Sequence, residues 1–321
     1  MVIPSRDGAL LLPACLDALA RQTVRAARVI VVDDHSGDDS REIVQRHPLS
    51  AEWLPLCAAT GFPAAANAGL ASARTALVAL LNNDARPEPK WLEALLQAAR
   101  EEPDCQAFAS RILSSDRPDR IDSAGLALTE GFGQLSIGAL ERDGPEFDGR
   151  HEVLGACAAA ALYRKSLFTR IGPFDEELVM YWEDYDIALR AQQAGLRTLY
   201  VGAARVRHLG QATIGRNSSR AAYYYHRNWL PVIVRCDPAL AFTRAPWIIL
   251  TALRMIGLAV SRGRLPACLL GLMAGCLLLG PRRVKAVAAT RSPGARDRLL
   301  ASLKEGSRLR RAARRADRPP A

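Results

Sequence analysis

Apolar and polar positions along the first 200 residues fall into two periods. Arg28-Val29-Ile30-Val31-Val32 and Leu77-Val78-Ala79-Leu80-Leu81 are short apolar runs that stop at the polar loops Asp33–Asp38 and Asn82-Asn83-Asp84. Such runs predict buried parallel strands. Helical spacing fills the intervals: Leu10–Thr23, with Leu10, Leu11, Leu16 and Leu19 on one face, then Ser40–Arg46, Ala65–Ala73 and Trp91–Arg100. Val2-Ile3 opens as a strand, and Pro4–Gly8 is a turn. Strands alternating with helices predict an open, mainly parallel α/β sheet with flanking helices. Ligands bind such sheets beyond the carboxyl ends of the strands, which puts both polar loops on one rim.

Residues 114–150 hold many Gly, Asp and Arg and show little period. They predict an excursion of loops and short strands. Regular structure resumes at Val153–Tyr163, followed by helices at Lys165–Ile171 and within Leu178–Gly195, a strand at Thr198–Val201 and an aromatic-rich helix at Ala221–Val234. The last quarter changes character. Trp247–Ser261 is apolar except for Arg254, and Leu265–Gly280 is 16 residues without a charge. Arg262 and Arg264 separate these segments, and Arg282 and Arg283 follow. As a helix, 16 residues reach about 24 Å, short of the ~30 Å of a bilayer core. The pair is expected either to pack on the body or to lie in one leaflet as a hairpin with its arginines at the headgroups.

Charge sharpens that division. The formal net charge of the 321-residue chain is +10, and residues 281–321 account for all of it with 13 basic and 3 acidic side chains. The body is balanced, which disfavours nucleic acid as a partner. The basic tail, expected to be helical or disordered, suits an anionic membrane surface. The 7 cysteines are scattered and form no C-x-x-C pair, so neither a disulfide framework nor a cysteine zinc site is expected. No leader-like apolar stretch opens the sequence.

Four constellations could carry chemistry. Asp33-Asp34-His35-Ser36 ends a strand; its carboxylates suit a pyrimidine imide or a ribose hydroxyl, and equally a cap on the Ser40 helix. Asn82-Asn83-Asp84 offers an amide oxygen and a carboxylate to a pyrophosphate-bound divalent cation, or makes a plain turn. Gly172-Pro173-Phe174-Asp175-Glu176 precedes Trp182-Glu183-Asp184-Tyr185-Asp186, an acidic helix start among aromatics. Acidic residues there complement the helix dipole, and desolvation would also raise a carboxyl pKa and make it a better base. Finally, His208 follows a strand in Val206-Arg207-His208-Leu209-Gly210 and could complete a metal site on the same rim.

The order and spacing of these motifs over roughly residues 1–230 resemble the inverting family 2 glycosyltransferases of the GT-A fold, and most closely their bacterial rhamnosyltransferase-like branch. Asn67-Ala68-Gly69 and Tyr224-Tyr225-His226-Arg227-Asn228 add to the likeness. The resemblance implies a catalytic domain over 1–235; the apolar pair and the charge run divide the rest into an apolar helical segment over 236–284, expected to associate with the membrane, and a basic tail over 285–321. It places Pro4, Arg6, Asp33, Asp34, Asn67, Asn82, Asn83 and Asp84 on the nucleotide-sugar. Asp184 matches the catalytic base with Glu183 as support; Gly155, Ala156, Trp182 and Asp186 match the acceptor side; Asp84 and His208 match the ligands of Mg²⁺ or Mn²⁺. Two departures stand out. Asn82 replaces the first Asp of the D-x-D position, leaving the metal site one charge poorer. The first strand is also only Val2-Ile3, which implies an exposed sheet centre if the chain begins at Met1, or a start upstream of it.

The implied reaction is inverting transfer of a sugar, from dTDP-rhamnose or a UDP- or GDP-hexose, to a glycan or lipid-linked acceptor for the cell surface. It would occur on the cytoplasmic face of the inner membrane, with the protein attached peripherally or monotopically. A sugar-phosphate nucleotidyltransferase is disfavoured because Ser5-Arg6-Asp7-Gly8 is too short for a phosphate-cradling loop. A dinucleotide oxidoreductase lacks G-x-G-x-x-G after the first strand. A non-catalytic RNA or nucleotide-sugar binder would have to rest on the tail or the rim alone.

Overall fold

A computed structural model describes residues 1–210, 218–279 and 291–316. Its first strands are β1 (Val2–Ser5), β2 (Ile30–Asp33), β3 (Glu52–Pro55) and β4 (Leu77–Leu81). They run parallel in the order β3-β2-β1-β4. The helices α1 (Leu12–Ala20), α2 (Ser40–Arg46) and α3 (Phe62–Ser72) connect them. All four strand ends therefore face one rim. Val2 and Ile3 point to opposite faces of the sheet, as period 2 requires, and both are fully buried. The expected exposed sheet centre is thus not found: β1 extends through Pro4 and Ser5, and all 4 of its residues are buried.

The sheet continues with β5 (Ala85–Pro87), α4 (Trp91–Glu101), β6 (Cys105–Ser114), β11 (Ala160–Arg164), α5 (Lys165–Ile171), α6 (Glu183–Gln193) and β12 (Arg197–His208). β11 runs antiparallel between β4 and β6, while β6 and β12 pair in parallel. The stretch 114–150 is the expected excursion, with β7 (Ile121–Ser123), β8 (Leu126–Leu128) and β9 (Gln134–Ser136), and β10 (Arg150–Val153) closes an edge on β12. β12 is three times longer than its apolar stretch Thr198–Val201 suggests. Its pairing with β6 shifts register between Val201 and Arg205. The far half then pairs with β5, setting His208 opposite Ala85. That shift carries His208 to the rim.

The C-terminal helices are α7 (Ser219–Cys236), α8 (Pro238–Thr243), α9 (Ala245–Ser261), α10 (Leu265–Leu277) and α11 (Ala295–Ala316). They form a third core with α6, in which Trp182, Trp229, Leu299 and Leu303 are buried. Residues 295–311 are therefore docked rather than a solvated tail: Ser307 Oγ accepts from Glu130 N at 2.8 Å, and Gly306 lies against the backbone of β8. Arg282 and Arg283 lie outside the described residues. α10 buries only its small face, Cys268, Gly271 and Gly275. A Cβ on Gly271 would sit 2.5 Å from Tyr223 O, and one on Gly275 2.5 Å from Arg227 O. Backbone contact with α7 thus fixes which side of α10 turns outward, and Leu269, Leu270, Met273 and Leu277 are exposed there. Among the described residues, no helix is long and apolar enough to cross a membrane.

Gly271→Val is expected to push α10 off α7 and destabilise the fold by about 1–3 kcal/mol, the usual range for overpacking. Urea unfolding followed by circular dichroism reads this. An unchanged midpoint would mean that the close approach does not matter.

Candidate active site

A cleft of about 330 Å³ opens beyond the carboxyl ends of β1, β2 and β4. Pro4, Arg6, Asp34, Asn82, Asn83 and Asp84 all line it, so the rim brings together six of the eight residues expected at the donor. Each is fixed locally. Asn83 Nδ2 donates to Ser5 Oγ at 2.9 Å and braces β4 to β1. Asp34 accepts from the Thr60 N–H at 2.6 Å and the Gly61 N–H at 2.9 Å, which pins the start of α3 beside the cleft. Asp33 turns away: its carboxylate closes its own loop by accepting from Ser36 N and Ser36 Oγ. The Ser40 helix is held by Asp38, which accepts from Ser40 N at 3.1 Å, and not by Asp33 or Asp34. Asn67 is also placed elsewhere. Its side chain exchanges hydrogen bonds with Phe174 N and O and donates to Glu176, so it ties α3 to the segment ahead of α6.

Asp84 and His208 face each other, with Oδ1 and Nε2 3.1 Å apart. The Nδ1 of His208 lies 2.9 Å from Asp122 Oδ2. Burial works against a charge on this imidazole, but hydrogen bonds to Asp122 and Asp84 outweigh it and raise its pKa to about 9. Two carboxylates thus draw positive charge to one point, and a cation there would serve as a proton does. The donor set fits Mg²⁺ or Mn²⁺: a carboxylate oxygen, an imidazole nitrogen, and a carboxylate behind the imidazole that orients it, a common arrangement at metal sites. Among the described residues, no group of three His, Cys, Asp or Glu side chains forms a metal site alone. Mg²⁺ takes one or two protein carboxylates and completes its shell with phosphate oxygens and water. Asp122 carries no sequence signal; it is one acidic residue in an aperiodic stretch.

The carboxylate pair stands at the head of α6. Asp184 accepts from the Tyr185 N–H at 2.8 Å and from the Ala158 N–H. The neighbouring Ala159 O accepts from Asn82 N at 2.8 Å, so one loop links Asp184 to the cleft. Burial pushes Glu183 and Asp184 above the ordinary carboxylate range, and the charge of Asp184 raises Glu183 further. The backbone donors favour the anion on Asp184, and Glu183 Oε2 is buried without a partner among the described residues. Gly155 lies beneath this loop, where a Cβ would meet the Ala188 methyl at 2.3 Å, and Ala156 is buried. The other two residues assigned to the acceptor side, Trp182 and Asp186, are also buried. Trp182 is buried with its Nε1 donating to Tyr225 O, and Asp186 is buried in ion pairs with Arg190 and Arg235.

The approach to α6 is strained. Val179, Tyr181 and Trp182 adopt φ of 61°, 62° and 75°, a region that costs non-glycine residues of order 1–3 kcal/mol each. The fully buried Asn228 of α7 holds this segment. Its Nδ2 donates to the carbonyls of Leu178, Met180 and Tyr181 at 2.8, 2.9 and 3.0 Å. Val179 and Met180 form one wall of the cleft, and Gly61 at φ 95° packs on Val179 O. Ser218 and Arg220 line the cleft too, beyond any motif the sequence offers. Asn228→Ala is expected to cost about 1–3 kcal/mol, because buried carbonyls lose their donor. A loss below ~0.5 kcal/mol in chemical denaturation, the range of ordinary surface changes, would show that the segment holds itself.

The comparisons with known proteins agree with this geometry. The family model described as Glycosyl transferase family 2 matches residues 1–172. A pre-mycofactocin glycosyltransferase of Mycobacterium tuberculosis is 32% identical over 70% of the chain, which spans 45% of that relative's length. An N-acetylglucosaminyl-diphospho-decaprenol L-rhamnosyltransferase of the same species is 26% identical, over 72% of this chain and 81% of the relative. Among solved structures, GalNAc-T7 with UDP, GalNAc and Mn²⁺ superposes with a TM-score of 0.58 at 15% identity, over 72% of this chain and 46% of that one. Staphylococcus aureus TarS 1–349 with UDP-GlcNAc gives 0.56 at 17%, over 97% and 91%. The mixed α/β sheet with its parallel nucleotide half is the GT-A fold, and the chain belongs to glycosyltransferase family 2.

Proposed function

We propose that the protein transfers a sugar from a nucleotide-sugar to a hydroxyl of a glycan or lipid-linked acceptor, with inversion, in cell-surface polysaccharide synthesis. The observation that carries this reading is the single rim on which the cleft residues Asp34 and Asn82–Asp84 adjoin the Asp84–His208 pair and, one loop away, Asp184. The donor is dTDP-rhamnose or a UDP- or GDP-hexose. The name of the diphospho-decaprenol rhamnosyltransferase relative supports the first, and the UDP-GlcNAc of the TarS structure keeps the second.

In this reading Asp34 and the β1 turn hold the base and ribose, and Arg6 and Arg220 flank the diphosphate. Asp84 and His208 would hold a divalent cation, Mg²⁺ or Mn²⁺, which when bound supplies charge neutralisation for the nucleoside diphosphate leaving group. Asp184 takes the proton of the acceptor hydroxyl, whose oxygen bonds to the anomeric carbon. The bond from that carbon to the diphosphate oxygen breaks, and the nucleoside diphosphate leaves with the electron pair. One displacement inverts the carbon, and no nucleophilic side chain is needed. The backbone donors Tyr185 N–H and Ala158 N–H favour the anion on Asp184, so Glu183, whose Oε2 has no partner among the described residues, holds the proton of the pair and spares Asp184 a second adjacent anion. The exposed apolar faces of α9 and α10 support peripheral or monotopic attachment to an anionic membrane, on the cytoplasmic face where nucleotide-sugars are made.

Asp184→Asn is expected to lower transfer by about 10²–10⁴-fold, the usual worth of a positioned base, with nucleotide-sugar binding unchanged by thermal shift. In the unaltered enzyme, transfer should rise with pH through a midpoint above the ordinary carboxylate range, because the base must first ionise and burial delays it. Near-normal transfer by the variant would remove Asp184 from the role of base. Anomeric configuration of the product, read by proton NMR, tests inversion directly.

A further inference from the structure

The turn between α9 and α10 carries two arginines that the reaction above does not use. α9 ends at Ser261, and Gly263 takes φ 65°. The Gly263 N–H donates to Val260 O at 3.0 Å and the Arg264 N–H to Ala259 O at 2.7 Å. This pair of bonds is the glycine-terminated helix end in which the residues on either side of the glycine are fixed by the backbone. Those residues are Arg262 and Arg264. Several arginines of the fold are matched, among them Arg111 with Asp143, Arg190 with Asp186, Arg205 with Glu88 and Arg296 with Asp237. Arg262 and Arg264 form no ion pair among the described residues.

Their position gives that charge a use. Both line a cleft of about 980 Å³ that also holds His208 and Asp122, and so it borders the metal-binding rim. Both also line a groove of about 320 Å³ that runs past Tyr181 and Tyr225 to Met255 and Leu258 of α9. Tyr181 lies in the strained segment that leads into Glu183 and Asp184. On the outer side, Leu258 and Val260 of α9 and Leu269, Leu270, Met273 and Leu277 of α10 are 42–88% exposed. An exposed apolar face of this kind marks an interaction site rather than ordinary surface. The arginines therefore stand between a polar cleft that reaches the rim and an apolar ledge.

We propose that Arg262 and Arg264 are the headgroup subsite for an amphiphilic acceptor, a lipid diphosphate. Its phosphates sit on the two guanidinium groups, its hydrocarbon chain runs over the outer faces of α9 and α10, and its sugar hydroxyl reaches past His208 toward Asp184. This rests on the glycosyltransferase reading and deepens it by naming the acceptor class. Guanidinium groups match phosphate oxygens with paired hydrogen bonds. Two of them fixed by one turn suit two linked phosphates better than the single phosphate of a common membrane lipid.

The test uses farnesyl diphosphate as probe and the full chain saturated with whichever nucleoside diphosphate raises its melting temperature, so that the donor cleft is filled. By calorimetry, farnesyl diphosphate is expected to bind at least tenfold tighter than farnesol or inorganic diphosphate. Arg262→Gln with Arg264→Gln should lose at least tenfold of that affinity and leave farnesol binding and the nucleotide thermal shift unchanged. Arg262→Lys with Arg264→Lys should recover part of it. Met273→Gln with Leu277→Gln should weaken farnesyl diphosphate and farnesol but not inorganic diphosphate. Unaltered binding by the double glutamine variant overturns the proposal. So does a wild type that prefers phosphatidylglycerol vesicles to farnesyl diphosphate, since the arginines would then serve a bulk anionic surface. Failure of every nucleotide-sugar to shift the melting temperature would instead sink the glycosyltransferase reading, on a separate readout.

Discussion

The site depends on how Asn228 holds the segment ahead of α6. Three residues there sit at positive φ without being glycine, and left alone the chain would relax. One buried amide from α7 gathers three of its carbonyls. The relaxed chain would move Val179 and Met180 out of the cleft wall and turn the start of α6, and with it Glu183 and Asp184. α7 is thus part of the catalytic structure although it contributes no reacting group. The same helix is the floor on which α10 packs through Gly271 and Gly275. The carboxylates and the outward apolar face are therefore set by opposite sides of one helix.

A second constraint is electrostatic. The rim gathers Asp34, Asp84, Asp122, Glu183 and Asp184, and each acidic group is answered differently. Backbone N–H groups hold Asp34, the His208 ring bridges Asp84 and Asp122, and α6 with the Ala158 loop holds Asp184. Asp186, of the same helix turn, is buried in ion pairs with Arg190 and Arg235, and its charge adds to that of Asp184 in raising Glu183.

Much of this was legible along the chain because strand and helix periods are local. Val29–Val32 and Leu77–Leu81 announce strands, and a strand's carboxyl end fixes where its loop lies. Hence the Asp33–Asp34 and Asn82–Asp84 loops could be assigned to one rim before any contact was known, and the family resemblance added Pro4 and Arg6. The excursion at 114–150 and the helix containing Glu183 and Asp184 were visible for the same reason. β12 was underestimated, since Gly202–Ala204 and the arginines beyond it lack an apolar period, and its extension depends on pairing with β5.

The sequence by itself determined the alternating α/β order, the rim, the acidic helix start and the placement of the net positive charge in the last 41 residues. Only the tertiary structure decided which acidic residue does what. Asp33 and Asp34 are neighbours with the same side chain, yet one closes a turn and the other faces the cleft. Asp184 and Asp186 lie on one helix, yet one meets backbone donors and the other meets arginines 4 and 49 residues away in sequence. Asn67 reads as a donor ligand, and its side chain is bonded to Phe174 and Glu176, more than 100 residues away. Residues 295–311 of the basic tail are docked through Leu299 and Leu303. In each case the deciding partner is distant along the chain, and no local period records which distant group a side chain will meet.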